Sequence, residues 1–112
     1  MNLDFEEKFR NCIKKISEIG ELYAEAKGQS WQAQEMKHSV LSSIINSLVG
    51  PVSQREMAAR ASEDYKKFLS ETAEAIKKEL RYKAQYEMWK ASFEALRSLS
   101  SLEKATQKEI GH

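Results

Sequence analysis

The sequence predicts an all-α protein: a helical hairpin, a short connecting helix and one long C-terminal helix, assembled as a coiled-coil-like oligomer. Three observations carry this expectation. Four glycines and one proline in 112 residues leave few points at which a helix must stop. Apolar residues return every three or four positions, the period of a helix and not of a strand. Between 63 and 110 there is neither glycine nor proline. A hydrophobic share of 41% beside 31% charged residues excludes a disordered chain. The length suits a single helical domain over 1–112.

The first helix is expected over 4–27. Phe5, Phe9, Cys12, Ile16, Ile19, Tyr23 and Ala26 alternate steps of four and three, the spacing of a heptad seam. Asp4 stands where an N-cap would, with Glu7 three residues on. Ile13 and Leu22 widen the stripe, and Gly28 is read as the stop. The second helix is expected over 30–49, capped by Ser30. Trp31, Met36, Val40, Ile44 and Leu48 lie near one face with Leu41 and Ile45 beside them. Between 38 and 49 only His38 can carry charge, and this part, the least polar of the chain, is expected to be the most buried.

Gly50 and Pro51 end that helix. Ser53 with Glu56 reads as a capping box, and Val52 with Met57 as a hydrophobic staple, opening a short helix over 53–61. Ser62 caps the long helix over 63–110, with Glu63 and Asp64 at the favourable end of its dipole. At 1.5 Å per residue the long helix spans about 72 Å and the first two about 36 and 30 Å. Paired as a hairpin, those two cover about half of the long helix. Its apolar side at Tyr82, Tyr86, Trp89, Phe93, Leu96 and Leu99 is therefore assigned to an interface between copies of the chain.

Eighteen basic and 17 acidic residues nearly cancel, so the chain as a whole lacks the electrostatic footprint of a DNA- or lipid-binding protein. Local basic clusters remain. Arg55, Arg60, Lys66 and Lys67 gather near a helix start, where backbone amides also favour anions. Lys77, Lys78, Arg81 and Lys83 form a second group, interleaved with Glu74 and Glu79. The lone Cys12 rules out an internal disulfide and fits a reducing compartment. Neither an apolar run of membrane-spanning length nor a signal peptide is evident, so a cytoplasmic location is expected. His38 and Cys12 lack partners at metal-ligand spacing, and no phosphate loop or nucleophile motif is present. No enzymatic activity, cofactor, metal or small-molecule substrate is expected.

The segments "YAEAKGQSWQAQEMKHSVLSSII" and "REMAARASEDYKKFLSETAEAIKKELRYKAQYEMWKASFEALRS" together resemble small helical proteins of double-stranded-DNA bacteriophages, encoded among recombination and replication genes. The matching residues are Arg55, Glu56, Ala59, Ala61, Ser62, Tyr65, Ala75, Glu87, Trp89, Arg97 and Ser98. The order of elements is similar to the UvsY family of recombination mediators. "AARASEDY" is similar in layout to that family's basic DNA-contacting segment: Arg60, Asp64 and Tyr65 match it, while Ala58 stands where the family has a lysine. The resemblance implies a homo-oligomer that binds single-stranded DNA weakly per subunit, with a recombinase or single-strand-binding protein as partner, in the cytoplasm of the host cell. Arg55, Arg60, Lys66 and Lys67, then Lys77, Lys78, Arg81 and Lys83, would hold phosphates. Two other readings stay open: a protein-only helical adaptor or inhibitor of a host nuclease or recombinase, and a virion assembly or scaffolding protein.

Overall fold

The computed structural model describes residues 3–110. It is all-α, with no strand among the described residues. The helices are α1 over Leu3–Ser47, α2 over Val52–Ala61 and α3 over Glu63–Ile110. Two compact units are distinguished. One joins α1 up to Ala24 with α3 from Arg81; the other runs from Glu25 to Leu80.

The first correction concerns α1. It continues unbroken through Gly28 and Ser30, where a stop and a new cap were expected. A mid-helix glycine costs only about 1 kcal/mol against alanine. The seam, meanwhile, does not lose its phase: Tyr23, Ala26, Ser30 and Ala33 keep the three-four alternation, and Ala26 and Ser30 are buried. Packing along that seam outweighs the local glycine signal. Ser30 is a seam residue rather than a cap, and its Oγ accepts a hydrogen bond from Gln34 Nε2 at 3.0 Å.

In the first unit α1 and α3 run antiparallel. The rings of Phe9 and Phe93 meet edge to face with centroids 5.5 Å apart, and those of Tyr23 and Tyr86 lie 5.9 Å apart. Such ring pairs add about 0.5–1.5 kcal/mol beyond the area they bury. Gly20 lets Tyr86 come close, since a Cβ there would sit 3.2 Å from the ring. Tyr82, Tyr86, Trp89, Phe93 and Leu96 are all part-buried, whereas Leu99 is exposed. The expectation that only another copy covers this side of the long helix is thereby corrected: the part of α1 up to Ala24 lies against it. The expected helix lengths erred because they ended α1 at residue 27, not at Ser47.

In the second unit Leu41, Ala59 and Tyr65 form the buried core, with Ile44, Ile45, Leu48 and Phe68 packed around them. The chain reverses between Ser47 and Val52. Gly50 takes φ +123°, a conformation that side-chain-bearing residues rarely adopt. Pro51 occupies the cap position of α2, without a side-chain cap bond, and its carbonyl accepts from the Arg55 amide at 3.0 Å. The expected Ser53 capping box and the Val52–Met57 staple do not form. The helix begins one residue early, and Val52 and Met57 are exposed at 57% and 74%. Ser62 alone separates α2 from α3. Its Oγ accepts from the Tyr65 amide at 3.2 Å and donates to the Ala59 carbonyl at 2.6 Å, so one hydroxyl caps α3 and closes α2, as the expected N-cap at this position requires.

Trp31 and Met36, read as lying near one apolar face of the second helix, are exposed at 65% and 46%. With Ser30 in the seam, Trp31 is turned about 100° away from it.

Candidate nucleic-acid interface

The second unit holds a cleft of about 320 Å³ lined by Gln34, Glu35, Lys37, His38, Leu41, Arg60 and Tyr65. Three elements build it. α1 supplies Gln34, His38 and Leu41, four and three residues apart and so on one side of the helix, with Glu35 and Lys37 flanking them. α2 supplies Arg60 from its last turn, where a cation suits the helix dipole. α3 supplies Tyr65 from its first turn, held by the Ser62 cap and by burial against Leu41 and Ala59. Of the lining residues Leu41 and Tyr65 are buried, while Lys37, His38 and Arg60 are exposed. Glu35 is the acidic member of the lining.

Trp31 lies three and four residues before Gln34 and Glu35 and seven before His38, on the same side of α1. Its exposed indole is a flat surface one turn along the helix from the cleft. Cations that can hold phosphates beside an accessible aromatic face are the parts a single-stranded nucleic acid needs.

The eight basic residues singled out from the sequence are placed differently. Arg60 lines the cleft. Lys66 pairs with Glu63 at 3.9 Å and Lys77 with Glu74 at 3.3 Å, each within α3. Such exposed pairs contribute at most about 1 kcal/mol and leave both side chains free to exchange partners. Lys67, Lys78, Arg81 and Lys83 are exposed along α3. Arg55 is part-buried, and its Nε is buried without a hydrogen-bond partner. That geometry makes Arg55 a poorer phosphate ligand than its place in the sequence suggested, because its Nε is withdrawn from solvent.

Lys37, His38 and Trp31 were not singled out as ligand-binding residues from the sequence. One signal pointed to Trp31: extending the heptad of Tyr23 and Ala26 past Gly28 puts Ser30 in the seam and Trp31 outside it. Lys37 and His38 carried no comparable signal, since they join Arg60 only through packing of elements more than 20 residues apart.

Among the described residues no three His, Cys, Asp or Glu side chains gather as metal ligands, and no helix is long and apolar enough to cross a membrane. No protein-family model matches the chain, and no curated protein or solved structure shows significant similarity to it.

Proposed function

We propose that this chain is a non-enzymatic accessory protein of DNA recombination or replication that holds single-stranded DNA in the cleft between α1, α2 and α3. The observation that carries the reading is the convergence of Lys37, His38, Arg60 and Tyr65 on one cleft, with the exposed Trp31 beside it. Arg60 and Lys37 hold phosphates and Trp31 stacks on a base. With a net charge of +1, one subunit binds weakly. Several subunits acting on one strand multiply the contacts without any new chemistry. The assignment to recombination or replication, with a recombinase or single-strand-binding protein as partner, is supported by the resemblance of residues 22 to 100 to phage mediator proteins.

Anisotropy titration of labelled single-stranded DNA at two salt concentrations tests the reading. Binding is expected to weaken as salt rises. Arg60→Ala and Lys37→Ala are each expected to flatten the slope of log affinity against log salt by about 0.7. Trp31→Ala is expected to weaken binding about tenfold while leaving the slope unchanged. Absence of binding at low salt, or variants indistinguishable from wild type, rejects the reading. A protein-only partner then becomes the better account, favoured by the exposed Val49, Val52 and Met57 around the chain reversal.

A further inference from the structure

One buried side chain of the cleft keeps a polar group without a partner. Tyr65 is only 4% exposed. Its backbone amide donates to Ser62 Oγ, but no described residue exchanges a hydrogen bond with its phenol hydroxyl. A tyrosine buried to this degree usually has a partner for its O–H. Among the described residues the polar side-chain atom both sealed from solvent and unpartnered is Arg55 Nε, so the Tyr65 hydroxyl is open to the cleft that its side chain lines. Two cations of the lining are unclaimed as well. Neither Lys37 nor Arg60 pairs with a carboxylate of a described residue, unlike Lys66 and Lys77. Gln34 differs, since its Nε2 already donates to the Ser30 hydroxyl and carbonyl at 3.0 and 3.3 Å.

We infer that the cleft prefers the end of a strand to its middle, taking a terminal phosphate monoester on Lys37, Arg60 and the Tyr65 hydroxyl. This rests on the cleft being the strand-binding site. The charge count is the first support. A terminal phosphate carries a charge of about −1.5 to −2 at neutral pH and presents three strong acceptor oxygens. A phosphate inside a strand carries a single charge and presents fewer free oxygens. Two unpaired cations and a free hydroxyl, delivered by α1, α2 and α3, match the first better than the second. Glu35 is the acidic member of the lining and His38 a further nitrogen donor or acceptor. Size is the second support. At about 320 Å³ the cleft lies at the lower end of ligand cavities, about 300–1,000 Å³, which suits one nucleotide at a time. Burial is the third. A hydroxyl on a ring this deeply buried is within reach of a group that enters the cleft, and a chain end enters more readily than a backbone continuing on both sides.

Anisotropy of the full chain with short single strands of one sequence, labelled on an internal base, tests this. One strand carries a 5′-phosphate, one a 3′-phosphate, and one hydroxyls at both ends. At least one phosphorylated strand is expected to bind about tenfold more tightly than the unphosphorylated one, which also identifies the end. Adenosine monophosphate in excess is expected to displace that strand, and adenosine is not. Tyr65→Phe keeps the ring and removes the hydroxyl, and is expected to cut the preference to about threefold or less. Lys37→Ala, at an exposed helical position, is expected to cut it likewise and covers the case in which the tyrosine variant loses helical circular dichroism. Equal binding of all three strands, equal displacement by both competitors, or a preference unchanged in the folded variants overturns the inference and leaves strand binding by the cleft standing. Absence of binding by every strand at low salt rejects both.

Discussion

The two compact units solve the same problem, two long helices side by side, with opposite choices of side chain. The first fills its seam with rings: Phe9 on Phe93 and Tyr23 on Tyr86. The second narrows its seam to Ala26, Ser30 and Thr72 and adds the short helix α2 over Ala59. Yet burial is more complete in the second. Ser30 and Ala59 are inaccessible to solvent and Tyr65 nearly so, while the rings of the first unit are only part-buried. The difference teaches that side-chain size and burial are separate quantities. Two helices alone cannot enclose a ring from all sides, since its outer edge projects beyond both backbones. Small residues are covered by the helices themselves, and a large one such as Tyr65 is covered only when further elements close over it.

The largest test of this contrast removes a ring from each unit. Tyr65→Ala is expected to cost about 3–5 kcal/mol in urea unfolding, the range for a fully buried aromatic. Phe93→Ala, already part-exposed, is expected to cost about half as much. An equal or larger loss at Phe93 would make the ring-lined seam the dominant core and reverse the comparison. Next comes overpacking. Ser30→Leu forces a branched side chain into a seam with no room and is expected to cost about 1–3 kcal/mol. Unchanged stability would mean that the helices separate freely there. Ser62→Ala removes the hydroxyl that caps α3 and is expected to cost about 1 kcal/mol, measured the same way. The smallest effect compares two mid-helix glycines. Gly28→Ala meets nothing within 4 Å and is expected to stabilise by about 0.5–1 kcal/mol through helix propensity alone. Gly20→Ala has the same propensity gain but places its Cβ 3.2 Å from Tyr86, so its melting temperature should rise less. Equal gains at both sites would show that Tyr86 yields without cost.

Much of the fold was legible along the chain. The seam of Phe5 to Ala26 and the recurrence of Tyr82, Tyr86, Trp89, Phe93 and Leu96 both mark faces that are at least part-buried. Gly50, Pro51 and Ser62 mark the two breaks where they occur, because each acts through its own backbone or hydroxyl within three residues. The Ser53 capping box was misleading for a related reason. The same residues fit two helix starts one position apart, and the start at Val52 is the one adopted. The candidate site was legible at Arg60 and, through the resemblance, at Tyr65. The cations and the indole that join it come from α1, and no local pattern ties Lys37 or His38 to a residue in α2.

Periodicity and composition by themselves determined that the chain is helical, which apolar residues share a face, and where the backbone must turn. These are properties of short windows, fixed by side-chain spacing and by the restricted dihedrals of glycine and proline. Only the tertiary structure decided that Gly28 stays inside α1, that the part of α1 up to Ala24 lies against the C-terminal part of α3, and that Trp31 stands in solvent. Each of these turns on what lies opposite a residue. A local preference of about 1 kcal/mol is readily outweighed by a seam that remains in phase on both sides of it.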